Sequence, residues 1–264
     1  MTTMLQAAPA DRRGRLYLVP APLDFGCADS SPIEQSVPLG TLQIAARLTH
    51  WICENAKSTR AYLKRVDAVC PLALPLQSLN LQELPREVHK KGDHTGSAFD
   101  ARSLLDPALA AHDIGLVSEA GMPAVADPGS SVVRAAHELK LDVVPLVGPS
   151  ALLLALAASG LNGQQFAFAG YLPVESDARR RRIVELESIA LKTAQAQLFI
   201  ETPYRNGALW QALLQTLQPN TRLAFASGLT LADGHVASRL VSGWRAERHS
   251  ATPGDLPTVF ALGR

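Results

Sequence analysis

Residues 113–129 read DIGLVSEAGMPAVADPG, a short apolar run that passes into a loop of small residues. The run 113–118 (DIGLVS) fits a buried strand. Glycine and alanine just beyond the carboxyl end of a parallel strand let a ligand approach the backbone closely. Asp127 followed by Pro128 reads as a helix N-cap and first helical residue, so Asp127 is taken as a cap rather than a catalyst. Gly121 and Gly129 serve either turns or ligand approach, and Met122 is a lining or packing residue. No GxGxxG follows the first strand and no GxxxxGK[ST] occurs, so ordinary dinucleotide and P-loop readings lose support.

Outward from this segment, strand-like runs alternate with helical periods. The strand-like runs are 15–20 (RLYLVP), 50–53, 142–147, 165–169, 197–200 and 222–226. Val132, Val133, Ala136 and Leu139 share one helical face, and Leu209, Trp210, Leu213, Leu214 and Leu217 share another. This alternation predicts βαβ units and a largely parallel sheet. After Ser227 the runs 235–242 and 258–262 follow with little helix between them, which predicts antiparallel pairing. The fold class is therefore α/β, with a parallel-type sheet first and a mixed sheet second. Gly148-Pro149 marks the boundary, giving a tail at 1–13, an N-terminal α/β domain at 14–148 and a C-terminal α/β domain at 149–264. Residues 76–100 lack a clear period and read as a long loop, in which His94, beside Asp93 and Thr95, is the one histidine in site-like surroundings.

Composition bounds the function. The chain of 264 residues is 47% hydrophobic, enough for a buried core. Lys+Arg 25 against Asp+Glu 24 gives no overall basic excess of the kind that phosphate-bound proteins carry. Cys27, Cys53 and Cys70 form no CxxC pair and no metal signature, which favours a reducing, cytoplasmic setting. The most apolar run, 150–159 (SALLLALAAS), is too short for a membrane span and predicts a buried helix.

Two further strand ends carry polar groups. Glu54-Asn55, with Lys57 and Arg60 beyond, follows the strand ending at Cys53, as a site or as the first turn of a helix. Glu201-Thr202-Pro203-Tyr204-Arg205 follows the run AQLFI, as a ligand site or as groups that pair with one another. Four arginines, Arg179 to Arg182, spread around a helix axis and read as a solvated helix start, with phosphate contact as the alternative.

At these segments the sequence resembles the tetrapyrrole-methylase-type, or class III, adenosylmethionine-dependent methyltransferases, nearest to the branch containing ribosomal RNA small-subunit methyltransferase I and a sister group. The resemblance is carried by LYLVPAPL (16–23), CENAKSTRAYLKRV (53–66), GLVSEAGMPAVADPG (115–129), VVPLVGPSALLLAL (143–156), FAFAGYLP (166–173) and LFIETPYRN (198–206), in the family's order. It implies two α/β domains with the cofactor in a cleft between them, and a homodimer. The implied adenosylmethionine site comprises Leu23, Glu119, Ala120, Gly121, Met122, Val125, Ser150, Ala151, Glu201 and Leu229, with no metal. Glu54 is the implied general base and Arg60 orients substrate. The implied acceptor is an RNA ribose hydroxyl; the alternatives are a tetrapyrrole or other small molecule, or adenosylmethionine binding without catalysis. Departures bear on that choice. The ribosomal RNA branch has Glu-Asp-Thr-Arg where Glu54-Asn55-Ala56-Lys57 stand, and Asp-Ala-Gly-Thr-Pro where Glu119 to Pro123 stand. Its Arg-Glu-Leu-Thr-Lys is replaced here by Ser227-Gly228-Leu229-Thr230-Leu231.

Overall fold

The computed structural model describes residues 13–85, 93, 99–246 and 252–264. They belong to two units. One holds the chain up to Pro22 together with Pro32–Pro149, and the other holds Leu23–Ser31 with Ser150–Arg264. The short segment after the first strand thus belongs with the second unit, and Ser31 Oγ donates to the Thr230 carbonyl there at 3.0 Å.

The first unit is built on five parallel strands, β1 (Leu16–Leu18), β2 (His50–Cys53), β3 (Asn80–Glu83), β4 (Ile114–Val117) and β5 (Val143–Pro145), in the order β3-β2-β4-β1-β5. Every residue of β4 is buried, as a central strand covered on both faces must be. Gly115 is required there, because a Cβ would lie 2.6 Å from the Trp51 ring on β2. One face packs helices α1 (Leu39–Arg47) and α2 (Ala56–Asp67) around Leu42, Trp51, Leu63 and Val66. The other packs α3 (Asp106–Leu109) and α4 (Ser130–Glu138) around Leu105, Ile114, Val132 and Ala136. Strand order places β4 between β1 and β2, so their carboxyl ends adjoin where open α/β sheets bind ligands.

The second unit has a mixed sheet of β6 (Phe166–Tyr171), β7 (Ala196–Glu201), β8 (Arg222–Ser227), β9 (His235–Leu240) and β10 (Thr258–Gly263), in the order β6-β7-β10-β8-β9. β6 and β7 are parallel, while β10 pairs antiparallel with both β7 and β8, and β9 pairs antiparallel with β8, as the helix-poor C-terminal patterns predict. α5 (Ala151–Ser159) covers one face over Ala224, Ala226, Val259 and Ala261. α6 (Ser176–Thr193), α7 (Asn206–Thr216) and α8 (Val241–Ala246) cover the other. That side holds an aromatic cluster in which Trp210 meets Phe225 and Trp244 edge-on at 5.2 and 5.0 Å.

Candidate functional site

In the first unit the carboxyl end of β2 delivers Glu54, and Asn55 opens α2 by accepting from the Lys57 and Ser58 amides at 2.8 and 3.4 Å. The carboxyl end of β4 delivers buried Ser118 and then Glu119. Residues 118–129 turn tightly. Gly121 (φ 71) makes a two-bond bridge to Ala21 at 2.9 and 3.0 Å, and Ala124 and Ala126 also lie on left-handed backbone, at φ 63 and 65. Small side chains are what such a path tolerates.

Three carboxylates converge at this end of the sheet. Glu54 accepts the Glu119 amide; burial, then the like charges of Asp127 and Glu119, push its carboxyl up to about 8. Burial also pushes Asp127 up to about 6, against a hydrogen bond from the Ser118 hydroxyl and with the help of Glu119. Glu119 Oε1 accepts from the Ser58 hydroxyl at 3.0 Å. Glu54 therefore retains its proton at neutral pH and can exchange it near that pH, the property expected of a proton acceptor in catalysis. Among the described residues no cluster of His, Cys, Asp and Glu is arranged to hold a metal ion.

Asp127 is not the helix cap that the Asp-Pro pair implies. α4 begins at Ser130 after Gly129, and Asp93 takes the capping role. Its Oδ2 accepts the Gly129 and Ser131 amides at 2.8 Å each and the Ser131 hydroxyl at 2.8 Å, while Oδ1 accepts the Ser130 hydroxyl at 2.7 Å. Burial opposes the Asp93 charge, but the Ser131, Ser130 and Gly129 donors outweigh it and hold the carboxyl below its ordinary range. No local pattern announces this, since Asp93 sits 36 residues from Gly129 in the chain. His94, Lys90 and Lys91 lie outside the described residues.

The other sequence-derived positions are distributed as follows. Ala120 and Met122 are half-buried, Gly121 is buried and Val125 is exposed, all in the loop after β4. Arg60 is exposed on α2, and its charge bears on Cys53. In the second unit, Leu23 is buried, Ser150 precedes α5 and makes no side-chain cap, and Ala151 and Leu229 pack against the same small-residue cluster. Glu201 is buried at the end of β7, and its Oε1 accepts from Arg205 Nη2 at 2.5 Å, Arg205 Nε at 2.9 Å and the Thr202 amide at 2.7 Å. The reading in which Glu201 and Arg205 pair with each other is thus the observed one. Ser227, at one of the departures from the ribosomal RNA branch, is buried and donates to the Pro253 carbonyl at 2.5 Å. Arg182 pairs with Glu185 on α6 at 2.7 Å, as a solvated helix start does.

A parallel α/β unit with a strained small-residue loop and proton-holding carboxylates at its strand ends, joined in one chain to a mixed-sheet α/β unit, defines a class of two-domain α/β proteins. Comparison with known proteins narrows it. The chain belongs to the tetrapyrrole (corrin/porphyrin) methylase family, whose model matches residues 45–242. It is 34% identical over 160 residues to ribosomal RNA small subunit methyltransferase I of Vibrio cholerae, covering 59% of this chain and 54% of that one. It is 31% identical over 215 residues to the Helicobacter pylori protein of the same name, covering 79% and 66%. The chain thus spans between half and two thirds of the length of these curated relatives. Among solved structures it resembles the methyltransferase CobJ (TM-score 0.55, 18% identity, 95% and 94% of the two chains). It also resembles uroporphyrin III C-methyl transferase from Thermus thermophilus (TM-score 0.52, 16% identity, 95% and 98%). At such identities the likeness is one of fold.

Proposed function

We propose that this chain is a cytoplasmic, adenosylmethionine-dependent methyltransferase that modifies a ribose hydroxyl of small-subunit ribosomal RNA. The observation that carries the reading is the placement of Glu54, a carboxyl able to exchange a proton near neutral pH, at the strand ends of a family member whose relatives are named for ribosomal RNA methylation. Adenosylmethionine supplies an activated methyl group on a sulfonium cation. The loop 118–129 fits such a donor in two respects. Ala120, Gly121 and Ala124 leave room for a ligand at the backbone, and the negative field of Glu119 and Asp127 favours a cation. In the second unit, Leu23, Ser150, Ala151 and Leu229 are proposed as further donor contacts. Glu201 is the weaker candidate for the sulfonium, because Arg205 already balances its charge.

Ionised Glu54 takes the hydroxyl proton as the oxygen accepts the methyl group, a contribution of about 10²–10⁴-fold for a positioned base. Arg60 is proposed to hold the acceptor. The working form is proposed to be a homodimer. The test is transfer of radiolabelled methyl from adenosylmethionine to small ribosomal subunits that lack the modification, with binding of donor and demethylated product measured by calorimetry. Label in a ribose of the RNA, lost in Glu54→Gln while donor binding persists, is the expected result. Binding of neither compound by folded protein would overturn the cofactor, and binding without transfer would overturn the acceptor.

A further inference from the structure

The turn from Glu201 to Asn206 takes no part in the proton transfer, yet it is anchored on both sides of Tyr204. Before it, buried Glu201 gives its Oε1 to the Arg205 guanidinium and to the Thr202 amide and hydroxyl. After it, Asn206 is fully buried, and its Nδ2 donates to the Gly254 and Leu256 carbonyls at 3.0 and 2.9 Å and to the Thr258 hydroxyl at 3.1 Å. Tyr204 sits between these anchors on a single helical turn, Pro203–Arg205, that runs directly into α7. Its own side chain is 80% exposed. The Arg205 guanidinium lies over its ring, 5.8 Å from the ring centre. Residues three and four places on share a helical face, and those places hold Gly207 and Ala208, both exposed. A methyl group at Gly207 would meet nothing within 4 Å, so this face is open.

We infer that Tyr204 is a stacking platform for an unpaired nucleobase of the acceptor RNA, with Arg205 fixed beside it as a cation. This rests on the reading of the acceptor as RNA. Aromatic rings and guanidinium planes are the groups on which proteins stack splayed-out bases, and here the two stand together. Anchoring on both sides fixes the backbone that carries the ring before a ligand arrives. An aromatic side chain then loses little further freedom on binding. A protein partner would be met by a wider apolar surface. Around Tyr204 in the turn stand half-buried Thr202, Pro203 and Arg205 and the small Gly207 and Ala208, which suit one planar ligand better. The platform also gives the Glu201–Arg205 pair a purpose, since hydrogen bonds to a buried carboxylate keep the guanidinium near the ring.

The test uses a short single-stranded oligoribonucleotide carrying 2-aminopurine, a base whose fluorescence falls when it stacks. Wild type should bind and quench it. Tyr204→Ala should bind about 5- to 150-fold more weakly, the span expected for one stacked base, and the quench should vanish. Tyr204→Phe should keep both. Gly207→Leu keeps the ring but fills the open face, so it should weaken binding without lowering the melting temperature, leucine being the better helix former. The slope of binding against salt should be the same in Tyr204→Ala as in wild type, because a stacking contact releases no counterions. In methyl transfer to small ribosomal subunits, Tyr204→Ala should raise KM and leave kcat little changed, as loss of uniform binding does. Absence of binding, or quenching that Tyr204→Ala retains, would overturn the platform even if the subunits are methylated. Quenching that depends on Tyr204, with no methyl transfer to the subunits, would leave the platform standing and remove the ribosomal RNA acceptor instead.

Discussion

Burying Glu54 among like charges has a consequence for stability as well as for chemistry. In the unfolded chain its carboxyl ionises near the ordinary 4.5, whereas in the folded protein it keeps its proton up to about 8. Between those values the folded state binds one proton more than the unfolded state, so stability falls as pH rises through the window and levels above it. Glu54→Gln lacks this dependence. Its melting temperature relative to wild type should therefore be higher at about pH 8 than at about pH 5, and a difference independent of pH would remove the burial argument. The sequence shows Glu54 as a polar residue past a strand end, but not its protonation, which depends first on burial and then on Asp127 and Glu119, 73 and 65 residues further along the chain. Asp127 is misleading in sequence because Asp-Pro is a sound local cap signal. A distant aspartate, Asp93, takes the cap instead.

Secondary structure was legible where the chain forms central, buried strands. β2, β4, β7, β8 and β10 each fall within a residue or so of the runs read from β-rich patterning, because an apolar strand buried on both faces leaves a continuous signature. β3 does not: its residues Asn80-Leu-Gln-Glu83 form an exposed or half-buried edge, and the pairing with β2 alone makes them a strand. The helical period from Ser130 was legible and matches the start of α4, but its capping group was not, since Asp93 comes from a distant segment. This contact can be tested. Asp93→Ala removes acceptors for two amides and two hydroxyls at the first turn of α4, and losing a cap of this kind costs about 1–2 kcal/mol. Denaturant unfolding should show that loss, together with faster amide exchange at Gly129 and Ser131. Protection at those two amides unchanged from wild type would mean that another group caps the helix.

The assembly proposal draws on the second unit. In β6 a register shift between Phe168 and Tyr171, with Gly170 at φ 72, keeps Phe166, Phe168 and Tyr171 opposite Ala196, Leu198 and Ile200. All three aromatics therefore lie on one sheet face, the face on which α5 packs against β8, β9 and β10. α5 is apolar all round, so a partner for its outer side is expected as well. Leu153, Leu154, Phe166, Phe168 and Tyr171 are between 38% and 56% exposed, and no charged residue occurs between Asp142 and Glu175. RNA would call for cations here, whereas an apolar, charge-free face matches the core of a protein interface, which the second copy in the proposed homodimer would supply. Leu154→Asp combined with Phe168→Asp places charge on that face without touching Glu54 or the loop after β4. Sedimentation should show wild type at twice the chain mass and the double variant at the chain mass, each with an intact far-ultraviolet spectrum. A monomeric wild type at micromolar concentration, or a double variant that stays dimeric, would exclude this face as the dimer contact.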